Sequence, residues 1–174
     1  MKVEYLIGLL AGLAIGGILL ALIFKVTKKD GSMKCKYDER QQIIRGKGFK
    51  YAFFTLVFYN FLAAVISGAM EKQYIKSEVL MIAGILIGVL VYASYCIWNE
   101  GYFSINENPK RVMIAFAIIA VINIGLGISN ILHHRVFENG VLTIHCLNLL
   151  CAMMMVMIFL VLAVKYICKQ REEE

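Results

Sequence analysis

Charge is what this chain has least of where it matters most. Of its 174 residues only 17% are charged, 60% are hydrophobic, and there is a single proline. Five long runs, 5–24, 51–70, 79–98, 112–132 and 141–164, contain no Asp, Glu, Lys or Arg at all. That composition, with a mean hydropathy of +0.73, excludes an ordinary water-soluble domain. The missing intramembrane carboxylates and bases also argue against a proton relay or an ion-coupled carrier, which place such groups within the bilayer. The five cysteines (Cys35, Cys96, Cys146, Cys151, Cys168) form no CxxC pair and no zinc-type spacing, so they read as small apolar residues. A nucleophile elbow, a phosphate loop and a metal-ligand motif are equally missing, so catalysis is not expected and no cofactor is implied.

What is present is length. Each of the five runs approaches the roughly 20 apolar residues that a helix needs to cross hydrocarbon. Lipid cannot satisfy a bare backbone, so each run is expected to be helical, and the fold class is an all-α integral membrane protein with five transmembrane helices in one membrane domain. The first run is longer than the apolar core of a secretion signal, and its basic cluster follows it, which reads as an anchor and not as a cleaved leader. Asn108-Pro109 supplies a capping residue and then a proline for the fourth helix, and Ser77 can cap the third. Tyr92, Tyr95, Trp98, Tyr102 and Phe103 form an aromatic belt at one boundary.

The net charge of +6 is concentrated in residues 25–50, where nine Lys/Arg meet three acids. With this interval, the third loop and the C-terminus in the cytoplasm, 14 basic residues lie inside and 4 outside. The positive-inside rule therefore predicts an N-terminus outside and a C-terminus in the cytoplasm. The excess is explained by topology and by anionic lipid headgroups, and direct binding of nucleic acid is not expected. Within the interval, Tyr37-Asp38-Glu39-Arg40-Gln41 opens a predicted short amphipathic helix with acids early and bases late. Tyr37, Gln41, Ile43 and Ile44, with Arg45 and Lys47, are its candidate contact residues for a partner protein or for lipid. Gly46 and Gly48 are expected to loosen the chain and bend it before the second span.

Polar and small residues inside the spans are few. Gly8, Gly12 and Gly16 recur at every fourth position and make a smooth stripe for close helix packing, in the same chain or in a homo-oligomer. Gly84 with Gly88, and Gly125 with Ser129, repeat the idea. Asn123 and Asn148 fall at similar depths if the last two spans form a hairpin, and are expected to hydrogen-bond each other or nearby backbone. His133, His134 and His145, near Glu138, are weak metal candidates without a recognised ligand spacing.

The segment from Tyr37 to Tyr51, followed by Ala52-Phe53-Phe54, resembles a group of uncharacterised small multi-pass membrane proteins of Firmicutes-like bacteria. Those proteins share an Asp-Glu-Arg-Gln segment ahead of a basic stretch and an aromatic helix. The resemblance covers about a tenth of the chain and implies a multi-pass protein of the bacterial cytoplasmic membrane, often accompanied by a helix-turn-helix regulator. It carries over no activity and no site residue. The expectation is a non-catalytic accessory, regulatory or sensor subunit acting through protein or lipid contacts. The alternative is an oligomeric conduit for ions or small molecules.

Overall fold

A computed structural model describes residues 3–30 and 34–173. It contains five helices: α1 (Val3–Thr27), α2 (Glu39–Ala69), α3 (Ser77–Trp98), α4 (Pro109–Leu132) and α5 (Leu147–Glu173). All five are long and apolar enough to cross a membrane. Two short strands, β1 (Phe137–Glu138) and β2 (Val141–Leu142), and a 3-10 turn at Ile144–Cys146 separate α4 from α5. The chain groups into two compact units, residues 1–37 with 103–115, and residues 38–102 with 116–174.

The second unit is built on α3, which packs against α2 along one side and α5 along another. Small residues set the α2–α3 approach. A Cβ placed on Gly84 would stand 2.6 Å from the Tyr59 ring, and one on Gly48 would stand 3.0 Å from Cys96 Sγ and 3.1 Å from Tyr92. In lipid, where apolar side chains gain nothing by leaving hydrocarbon, such close packing at small residues is what holds helices together. Against α5, Ala93 and Ile97 of α3 bury themselves with Ile158, flanked by Leu90, Met154 and Val161. Gly127 of α4 lies directly against Leu149 of α5.

The predicted short helix does not end before the second span. α2 runs without interruption from Glu39 through Gly46 and Gly48 to Ala69, so the short helix and the second span are one rod of 31 residues. Neither glycine interrupts the helix, and Gly48 is spent on contact with Cys96 and Tyr92 of α3. The rod begins at a capping box: Asp38 Oδ1 accepts from the Gln41 N–H at 2.6 Å, and Gln41 Oε1 accepts from the Asp38 N–H at 3.4 Å. At 1.5 Å per residue it is about 46 Å long, about 16 Å more than the hydrocarbon core requires.

Two further boundaries differ from expectation. Lys76, not Ser77, is the N-cap of α3, and the Ser77 hydroxyl accepts from Gln73 Nε2 at 3.2 Å instead. The last span does not start at Val141, because Asn139 (φ 51°) and Gly140 (φ 78°) close a hairpin between β1 and β2. Both turn residues hold the positive φ that a type I′ turn demands, which is why Asn-Gly occupies it. Leu142 also donates its N–H to Tyr74 O at 2.8 Å and accepts from the Lys76 N–H at 3.1 Å, so the hairpin is stitched to the α2–α3 loop. Lys76 and Glu138 add an ion pair at 3.0 Å. The fourth helix starts as expected, with Pro109 first and Asn108 Oδ1 accepting from the Lys110 N–H at 3.1 Å.

Candidate functional site

The basic interval divides between the two units, and its parts behave differently. In the first unit, the residues after α1 are tied to residues 103–108 by a polar knot. The backbone pairs Lys28 with Glu107 as an antiparallel bridge, with Lys29 N–H to Asn106 O at 2.8 Å and Asn108 N–H to Thr27 O at 3.0 Å. Lys28 is buried, and its ammonium donates to Glu107 Oε1 at 2.7 Å, Cys35 Sγ at 2.8 Å and Ser104 Oγ at 3.2 Å. Asn106 is equally engaged. Its carbonyl oxygen accepts from Ser104 Oγ and the Lys36 N–H, while its amide donates to Asp30 and to Lys34 O. Arg111 donates to Val26 O at 3.2 Å and covers the carbonyl end of α1.

These bonds decide the charges. Burial disfavours the Lys28 ammonium, but its hydrogen bonds to Cys35 and Glu107 and the Glu107 charge outweigh that, holding its pKa above the usual lysine value. Burial likewise disfavours ionised Glu107, yet the Lys28 contact and the Ser104 N–H at 2.8 Å hold its carboxyl below the usual range. Both groups are therefore charged at neutral pH, and the knot is a paired, satisfied interior and not a vacant site.

In the second unit the candidate contact residues split between two faces of α2. Gln41 and Ile44 turn toward the loop that follows α3. Gln41 Nε2 donates to Glu100 O at 3.4 Å, and Ile44 fills the space beside Gly101, where a Cβ would meet it at 2.6 Å. Arg45 donates to Tyr102 O at 3.5 Å and stands 5.5 Å from the centroid of the Tyr92 ring. That loop is itself a helix stop, with Glu100 at φ 62° and the Gly101 N–H bonded to Cys96 O at 2.8 Å. Arg40 and Lys165 pair with Glu100 at 3.6 Å and 4.0 Å. Gln41, Ile44 and Arg45, each half-buried, thus contact the loop after α3 within their own unit. Tyr37 is half-buried in the first unit.

Ile43 and Lys47 point the other way, and they continue as a stripe. At 100° per residue, Ile43, Lys47, Lys50, Phe54, Phe58, Phe61 and Val65 fall within one narrow sector, opposite Gly48, Ala52 and Tyr59. Every member of that stripe is exposed. The aromatic stretch was visible in the sequence, but only the packing of Gly48 and Tyr59 on α3 shows which face remains open.

The other expected sites stand as follows. A Cβ on Gly12 or Gly16 would meet nothing within its own unit, and the surroundings of Gly8 lie outside the described residues. Asn123 donates to Ile119 O in its own helix at 2.9 Å, so among the described residues it bonds nearby backbone and not Asn148. The cross-link between the two helices' ends comes from Asn130, whose amide donates to His145 O at 3.1 Å. His133, His134 and His145 belong to no group of three potential metal ligands among the described residues, so the weak metal candidates are not brought together.

No protein-family model matches the sequence, and no curated protein or solved structure shows significant similarity to it.

Proposed function

We propose that this chain is a non-catalytic, multi-pass subunit of a bacterial cytoplasmic membrane. It acts by presenting the open face of α2 to a partner, with its N-terminus outside and its C-terminus in the cytoplasm. The observation that carries the reading is the stripe from Ile43 to Val65, exposed along a rod that outruns the bilayer by about ten residues. The apolar and aromatic part suits a transmembrane helix or lipid. Ile43 and Lys47, beyond the hydrocarbon, add an apolar contact and a cation for an acidic partner segment or an anionic headgroup. The loop-by-loop bias of Lys and Arg supports the orientation.

The test pairs two substitutions on adjacent residues. Ile43→Glu should abolish recovery of a co-purifying membrane protein from native membranes, whereas Gln42→Glu should leave it intact. Equal recovery with both variants would refute the α2 face as the contact. Orientation is read separately: a cysteine placed at Lys47 should resist an impermeant thiol reagent in intact cells, and one placed at Lys72 should react. Ion or solute flux in liposomes containing this chain alone would favour a conduit instead.

A further inference from the structure

A cavity of about 610 Å³ opens between the ends of α2 and α3 beside the loop that joins them. Its size is within the range of small-molecule sites. Tyr59, Ala63 and Ile66 of α2 and Leu80 of α3 form apolar walls, and the exposed loop residues Glu71 and Lys72 also line it. Glu71 and Lys72 differ from the two ion pairs Lys28–Glu107 and Lys76–Glu138. They enter no ion pair among the described residues. Lys72 Nζ instead stands 6.0 Å over the Tyr74 ring. Neighbouring loop residues are already committed, since Gln73 donates to Ser77 and Tyr74 O accepts from Leu142.

We infer that this cavity is a binding site for a zwitterionic amphiphile, a phospholipid whose head bears a phosphate and a primary ammonium. An opposite pair of charges, neutralised neither by each other nor by a third group, is complementary to a head that carries both signs. The phosphate meets Lys72 and the ammonium meets Glu71, each as a charge-assisted hydrogen bond. The apolar walls receive an acyl chain, which leaves the bilayer without entering water. A head with phosphate alone leaves Glu71 facing an anion, and a quaternary ammonium offers Glu71 no N–H. The site therefore distinguishes a primary-amine head from both. This inference stands on the α2–α3 cavity and is independent of the partner face proposed above.

Native mass spectrometry of the full chain in detergent, with phosphatidylethanolamine, phosphatidylcholine or phosphatidylglycerol added in turn, tests it. The ethanolamine lipid should be retained about tenfold more than either other lipid, the discrimination of a single charge-assisted bond. Glu71→Gln should bring its retention down to the choline level, and Lys72→Gln should lower retention of both zwitterionic lipids. Ala63→Phe should fill the groove and remove the adduct. Free phosphoethanolamine should bind far more weakly than the lipid. Equal retention of the three lipids, an ethanolamine preference that survives Glu71→Gln, or binding of the free head as tight as the lipid would each overturn the site. So would a dimer in place of the adduct that Ala63→Phe dissociates, because the occupant would then be a second copy of this chain.

Discussion

The two compact units are held by opposite means. The first depends on polar bonds, with buried Lys28 and partly covered Glu107 joined at 2.7 Å and Ser104 and Asn106 buried around them. The second depends on close packing at small residues, with the Tyr92 and Tyr59 rings laid onto Gly48 and Gly84 and the Ala52 carbonyl near Gly88. A polar interior is sensitive to any change that leaves one charge without its partner, whereas a small-residue interface is sensitive to volume. The contrast separates charge that holds the fold from charge that is free to bind.

Breaking the knot should give the largest effect. Lys28→Met alone leaves Glu107 beside an apolar side chain and should cost about 3–5 kcal/mol, while Lys28→Met with Glu107→Leu should recover most of that loss. Hydrogen exchange at the Lys29 and Asn108 amides reads it locally; a double variant as unstable as the single one would mean that the ion pair is not the element at fault. Next comes volume. Gly84→Ala drives a methyl into the Tyr59 ring and should destabilise the second unit by about 1–3 kcal/mol in thermal unfolding. Gly12→Ala, with nothing near it in its own unit, should instead stabilise α1 by about 0.5–1 kcal/mol.

Acid sharpens the comparison. Glu107 is held below its usual range in the folded state, so its contribution is complete above that range and fades as pH falls through the lowered value. Lys28 is held above its usual value, so its contribution is complete below that value and fades only as pH rises through the raised one. Exchange at Lys29 and Asn108 should be flat between those limits and accelerate on both sides, with α3 amides unresponsive once intrinsic exchange rates are divided out. The smallest effect belongs to the unpaired charges: Glu71→Gln and Lys72→Gln should each change stability by less than about 0.5 kcal/mol in thermal unfolding of lipid-free protein.

Much of the helical plan was legible because lipid leaves so few choices. Uncharged runs of span length must be helices, and Asn108-Pro109 marks a start whichever helices surround it. The loop interior was partly legible: Asp38 and Gln41 announce a helix start, but Gly46 and Gly48 look like breakers until Tyr92 and Cys96 are seen against Gly48. Asn139-Gly140 carried a hairpin signal that the apolar run from Val141 obscured, since β2 and the first turn of a span have the same hydrophobicity. The knot was not legible. Lys28 and Glu107 are 79 residues apart, and nothing in either neighbourhood names the other. The split of Ile43 from Ile44 was hidden for the same reason, because adjacent residues differ in face only once the α3 contact fixes the helix's rotation.

The open face of α2 is tested most directly by site-specific photocrosslinking in native membranes, with the reactive side chain placed in turn at Ile43, Lys47, Ala52 and Tyr59. A single protein adduct of constant mass is expected from positions 43 and 47, and internal or no adducts from positions 52 and 59, which pack on α3. Adducts to a common protein from 52 and 59 but not from 43 and 47, in a chain that remains folded, would contradict the assignment.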